Sequence, residues 1–274
     1  MSEKQAVFAV GAHPDDVEFT MSGTLALLAE AGFEPHMMNL SRSNLDSNEL
    51  PEAEITRIRR REAERSAAVI GATYHPPIVD DLMILYEDKL LRQMSAVVRG
   101  IRPTIVLLPS PNDYMEDHTN TARLVVTACF SRAMRHYRSD PPQEATDQDV
   151  YLYHAQPHLN RDGMRTLVVP ELFVNVTSVM QTKLAMLGCH ESQRQWLDET
   201  QGLDDYLESM RTSCAEVARL SGQPGWEYAE GFRRHSHVGL SAGDRDLLSE
   251  VLGTQVARRA SDRPAPNGPA MESQ

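Results

Sequence analysis

The sequence predicts an α/β protein with a Rossmann-like, mostly parallel sheet flanked by helices and a C-terminal extension. Three observations carry this. Short apolar runs, clearest at residues 5–10 and 104–109, have the length and β-branched content of buried strands. Amphipathic segments of helical length alternate with them, the order that builds parallel sheets. The first run ends in a polar Gly-Ala-His-Pro-Asp-Asp stretch, residues 11–16, at the strand end where open α/β sheets collect ligands.

In chain order, residues 5–10 form the first strand, and a helix follows over 24–31, stopped by Gly32. Residues 34–40 read as a second strand and the polar stretch 41–49 as a loop at the same sheet end. Pro51 opens a helix that Gly71 closes. A third strand over 73–79 is weakened by Pro76 and Pro77 and leads to Asp80 and Asp81, read as turn and capping residues. An amphipathic helix spans 88–100, a strand 104–109, and a helix 119–135. After an acidic, proline-containing linker at 139–149, residues 151–155 and 172–176 alternate like strands. Helices are expected over 178–189 and 203–220. The proline- and glycine-bearing stretch 258–274 reads as a disordered tail behind one domain of residues 1–257.

Composition narrows the function. With 274 residues and 41% hydrophobic content, the chain can bury a sizeable core. A formal net charge of −12 argues against nucleic acid or an anionic membrane as partner. The three cysteines, Cys129, Cys189 and Cys214, have no zinc-finger spacing and suit a reducing compartment. No apolar leader or membrane-length run is visible, so a cytoplasmic protein is expected. There is no G-x-G-x-x-G pattern for a dinucleotide and no G-x-S-x-G elbow for a nucleophilic serine.

The chemistry sits in two loops. His13 and Asp16 are three apart across a proline turn and can face one point. An imidazole and a carboxylate are ordinary zinc ligands. Asp15, between them, is free to act as general base, although either aspartate could simply cap the next helix. In a doubly wound sheet the first and fourth strands are neighbours, which places His118 across from His13 and Asp16. Two histidines and one carboxylate leave a position for water, as catalytic zinc sites do.

Residues 12–18, Ala-His-Pro-Asp-Asp-Val-Glu, resemble the A-H-P-D-D-x-E signature of the PIG-L/LmbE family of zinc-dependent deacetylases. The resemblance runs from about residue 5 to about residue 237 and is strongest at the first motif and at 112–121. It implies removal of an N-acetyl group from a small amino-sugar-containing substrate, with zinc or another divalent transition metal on His13, Asp16 and His118. Arg59 and Glu62 match the family's R-x-x-E pattern, which implies that Arg59 holds substrate at the mouth of the site. Its arginine-rich surroundings read equally as a solvated helix face. The segment 190–193 resembles the family's H-x-S-Q, so His190 is either a pocket residue or a helix-end histidine. The family's H-P-D-H segment here reads Met115-Glu116-Asp117-His118. Met115 replaces a histidine that faces the developing oxyanion in relatives, and a thioether donates no hydrogen bond. Either His190, His235 or His237 replaces that donor, or Met115 packs the loop against an apolar part of the substrate and the metal alone handles the charge. The family also implies the alternative of a zinc hydratase acting on an unsaturated carboxylic acid. We expect a small-molecule N-acetylated substrate, no nucleic-acid or membrane partner, and a homo-oligomer.

Overall fold

The structure, a computed structural model, describes residues 4–201 and 206–259. Strands β1 (Ala6–Gly11), β2 (Glu34–Asn39), β3 (Thr73–His75), β4 (Ile105–Leu108) and β5 (Tyr151–Ala155) pair in parallel in the order β3-β2-β1-β4-β5. Three more, β6 (Leu172–Asn175), β7 (Ala229–Arg234) and β8 (Val256–Arg258), extend the same sheet antiparallel in the order β7-β6-β8. The expected mostly parallel, Rossmann-like sheet is therefore present, and the C-terminal extension joins it as strands.

The parallel strands are apolar on both faces because both are covered. Val7, Ala9, Ile105 and Leu107 pack with Met21, Leu25 and Leu28 on one side. Phe8, Val10, Val106 and Leu108 pack with Met94, Val98, Leu124 and Val125 on the other. The covering helices are α1 (Asp16–Thr20), α2 (Ser22–Glu30), α3 (Glu52–Val69), α4 (Asp88–Ile101), α5 (Glu116–Ser131), α6 (Met180–Leu187), α7 (Glu191–Gln201), α8 (Tyr206–Ser221) and α9 (Leu247–Leu252). Among the described residues no helix is long and apolar enough to cross a membrane.

Several boundaries differ from expectation. The first helix begins at Asp16, inside the motif, and breaks at Met21 before continuing. α5 starts at Glu116, which puts His118 in its first turn. β3 stops at His75, before Pro76 and Pro77, which lack the N–H a ladder needs. The H-x-S-Q stretch opens α7, a helix not foreseen. Val256–Arg258 forms the edge strand β8, so the ordered chain continues past residue 257. The rest of the expected tail, from 260, and the expected start of a helix at 203 lie outside the described residues.

Candidate metal centre

β1 and β4 are hydrogen-bonded neighbours, with Val7 opposite Ile105 and Ala9 opposite Leu107. Their carboxyl-terminal loops therefore open at the same end of the sheet. The chain leaves β1 through Gly11 and turns so sharply that a Cβ there would lie 2.8 Å from the Asp16 Cβ. Asp15 takes φ = 114°, a conformation unusual for a residue with a side chain. This turn folds Asp16 back, and its Oδ2 accepts the Ala12 and His13 N–H groups, both at 2.8 Å. Its orientation is thus fixed by backbone alone.

His13, Asp16 and His118 each offer a ligand atom, all within 4.8 Å of one another. His13 Nδ1 lies 3.7 Å from Asp16 Oδ2, and His118 Nε2 lies 3.4 Å from Asp16 Oδ1. Each imidazole is held at its other nitrogen by a separate carboxylate. His13 Nε2 is 3.1 Å from Asp117 Oδ2, and His118 Nδ1 is 2.8 Å from Asp113 Oδ1. Such outer carboxylates fix the ring and the tautomer of a metal-ligating histidine.

Electrostatics agrees with this arrangement. Burial works to lower the His13 pKa, but bonds to Asp117 and Asp16 outweigh it and hold it up at about 10. Burial likewise opposes protonation of His118, and Asp16 and Asp113 raise it well above the ordinary range. For Asp16, burial is overcome by His118 and His13, and its carboxyl is held well below the usual range. Three carboxylates thus stabilise positive charge at the two imidazoles, and a dication can take the place of the two protons. Two imidazoles and one carboxylate, with Asp117 and Asp113 behind the rings, are a donor set suited to zinc or a similar divalent ion.

Asp15 is buried beside this cluster without joining it. Burial pushes its carboxyl up to about 6, against the pull of Arg59. The Tyr206 hydroxyl donates a short hydrogen bond to its Oδ2.

Known proteins resemble this chain in sequence and in fold. Residues 8–129 match the PIG-L family model, described as GlcNAc-PI de-N-acetylase. Diacetylchitobiose deacetylase of Thermococcus kodakarensis is 26% identical over 240 residues, covering 85% of this chain and 84% of that protein. Residues 8–129 are thus a PIG-L family domain. The chain is also 26% identical over 198 residues to 4-oxalmesaconate hydratase of Pseudomonas putida, covering 69% of this chain and 74% of that one. The crystal structure of GalB, the 4-carboxy-2-hydroxymuconate hydratase of Pseudomonas putida KT2440, superposes with a TM-score of 0.72 at 24% identity. That match covers 89% of this chain and 99% of GalB, and it speaks to the fold.

The remaining expected site residues fall in different places. Arg59 does not reach a mouth. Its side chain is fully buried, donates to the Pro14 carbonyl at 2.9 Å and pairs with Asp46 at 3.1 Å, so it braces the back of the Asp15 turn. Met115 sits immediately before α5, and its N–H donates to Asp113 Oδ1. His190 faces Glu18, its Nε2 3.0 Å from Oε1. His235 pairs with His154 at 3.0 Å, and His237 lies 3.8 Å from Asp244. The three expected replacement donors are therefore in other contacts, because each sits next to a polar group of its own element or neighbour. Asp81 does not make the local turn or capping bond expected of it: its carboxylate accepts the Leu45 N–H at 3.0 Å and the Ser41 hydroxyl, and so ties down the loop after β2. It also lies 3.8 Å from His13 Nε2.

Sequence reasoning missed Asp113 and Tyr206, whereas the turn at 156–158 does return towards the site, as expected from its position between two strands. The His158 ring lies 4.4 Å from Phe19 and 6.1 Å from Tyr114, and Tyr114 stands edge-on to His118 at 5.5 Å. The loop that presents His158 is strained, with Leu159 at φ = 53° and Asn160 at φ = 60°. Asn160 holds it by donating to Ser213 O and Glu216 Oε2 at 3.1 and 2.9 Å. Burial lowers the His158 pKa, partly offset by Asp16.

Proposed function

We propose that this protein is a metal-dependent deacetylase that removes an N-acetyl group from a small amino-sugar-containing substrate. The observation that carries the reading is the convergence of His13 Nδ1, His118 Nε2 and the Asp16 carboxylate, each imidazole backed by its own aspartate. His13, Asp16 and His118 would hold the ion, with zinc the best match to the donors. Bound there, such an ion supplies Lewis acidity towards the acetyl carbonyl and a water acidified to a pKa of about 7.

Asp15 is the general base. Tyr206 fixes one carboxylate oxygen and leaves the other to accept the proton of the attacking water, which it then returns to the departing amine. Arg59 supports this role from behind, through the Pro14 carbonyl and its charge on Asp15. His158 is our candidate for the donor absent at Met115. It shares the Tyr114 ring with His118, has no side-chain hydrogen bond among the described residues, and feels the charges of Asp16, His118 and Asp113. The strained Leu159–Asn160 turn that aims it supports a functional purpose.

The family resemblance includes hydratases, and Met115 gives that alternative a specific basis: addition of water to an unsaturated acid needs no donor at an acetyl oxygen. The deciding experiment measures acetate release from a panel of N-acetylglucosamine-containing compounds, alongside loss of ultraviolet absorbance from unsaturated dicarboxylic acids. Acetate release is expected. In that assay Asp15→Asn should slow turnover roughly 10²–10⁴-fold with metal retained. His158→Phe should slow it by about two to three powers of ten. Absorbance loss without acetate release would replace the deacetylase reading with the hydratase one.

A further inference from the structure

A cavity of about 490 Å³ opens between α5 and the carboxyl end of β7, and none of its lining residues belongs to the His13–Asp16–His118 cluster. Its volume is that of a small-molecule site. Tyr86 and Val126 contribute apolar wall, and Arg123, His154, Arg233, Arg234 and His235 are among the polar groups. In a chain of net charge −12, no Asp or Glu lines it.

Arg233 is the notable group. Its Nη2 donates to Ser110 Oγ at 2.8 Å, while its Nε is buried with no hydrogen-bond partner among the described residues. No ion pair reaches it among those residues, whereas its neighbour Arg234 is held by Glu171 and Asp244. Burial lowers the Arg233 pKa and no carboxylate acts to raise it. A half-buried guanidinium without a counter-charge is costly to keep, and a bidentate anion is what its fork matches. The adjacent imidazoles add no charge: His154 is held neutral by burial, down at about 4, and His235 is lowered in the same way. Arg123, the second free-facing cation, stacks on the Tyr86 ring at 4.8 Å. The charge on offer is small and the walls are largely apolar, which suits a carboxylate on an apolar body better than a phosphate dianion.

We propose that this cavity is a second ligand site, which takes a small organic carboxylate with its charge on Arg233 and its apolar body against Tyr86 and Val126. Arg233 and His154 also hold Ser110 and the Pro109 carbonyl, at the start of the segment that carries Asp113 and His118. Activity alone would therefore be an ambiguous readout, and the test is direct binding. Calorimetry of sodium benzoate against the metal-loaded protein should give saturable binding. Arg233→Gln should weaken it roughly ten- to hundredfold, the share of a charged hydrogen-bonded contact. Val126→Trp, which fills the cavity and leaves Arg233 alone, should abolish it and keeps the test decisive if Arg233→Gln does not fold. Inorganic phosphate should not compete. Absence of saturable heat with wild type, unchanged affinity in either folded variant, or phosphate competing as well as benzoate would each overturn the proposal, whatever reaction the metal centre performs.

Discussion

Two polar clusters, one fully and one partly buried, flank α1, and they use the same kinds of residue to opposite ends. In one, the Lys183 ammonium donates to Glu18 O, Phe19 O and Glu230 Oε1 at 2.8, 3.0 and 2.6 Å. Glu230 in turn accepts the Gly23 and Thr24 N–H groups, at 2.8 and 2.7 Å. All three ammonium protons and both carboxylate oxygens are taken, so the cluster has nothing left to bind. In the other, the outer nitrogens of His13 and His118 are taken by Asp117 and Asp113, while the inner nitrogens stop 3.4–3.7 Å short of Asp16. Those distances are long for hydrogen bonds and leave donor atoms turned towards a common point. The saturated cluster fastens α1, α2 and α6 to β7. The unsaturated one is shaped for a ligand.

Breaking the closed cluster gives the largest expected effect. Lys183→Met leaves Glu230 charged, 2% exposed, and stripped of its cation. Removing one partner of a buried pair typically costs about 3–5 kcal/mol. Urea unfolding should show that loss, while elemental analysis of the folded variant shows metal content equal to wild type. A variant that unfolds as late as wild type, or folds and loses its metal, would erase the distinction between the two clusters.

The open cluster was far more legible in the sequence than the closed one. His13 and Asp16 are three residues apart in one turn, so their convergence needs only local geometry. His118 needed one further step, that β1 and β4 are neighbours, and the register bears that out. Asp113 reaches its histidine from only five residues away, but through the nitrogen that faces outward. Nothing in a spacing pattern says which side of an imidazole a carboxylate will take. Tyr206 and Asp15 are 191 residues apart, and Lys183 and Glu230 meet across the antiparallel extension. Such pairs depend on the strand order β5-β7-β6-β8, which alternation alone does not specify. Arg59 is different, because a signal was present. It shares the buried face of α3 with Ile55, Glu62, Ala63 and Ser66, at helical spacing, while Arg57, Arg60, Arg61 and Arg65 lie on the other faces. Reading the arginines as one charged run hid that periodicity.

A smaller change sharpens the contrast from the open side. Asp113→Asn keeps the size of the side chain but removes the charge that orients the His118 ring. Loss of such an outer partner typically weakens metal affinity roughly 10–100-fold. Competition against a chromophoric chelator should read that change, with an unfolding midpoint near that of wild type. If metal affinity is unmoved, Asp113 is only a loop residue that accepts the Met115 N–H.

The smallest effect concerns a third polar pair, His154 with His235, which belongs to neither cluster. Burial is the main cause holding the His154 pKa down at about 4, with His235 and Arg233 acting in the same sense and the Pro109 carbonyl against it. An unfolded chain carries that histidine near 6.5. Below 6.5 the unfolded state therefore binds the proton that the folded state refuses. The stabilisation is complete above pH 6.5, declines as pH falls, and has no further contribution to lose below about 4. At pH 5.5, one unit into that window, the loss is about 1.4 kcal/mol. Urea unfolding of wild type and His154→Gln at pH 7.5 and 5.5 separates this histidine from the others. Wild type should lose more stability than the variant between the two pH values, by about that amount. Equal losses would mean that His154 takes up its proton in the folded protein, with the carbonyl of Pro109 outweighing burial.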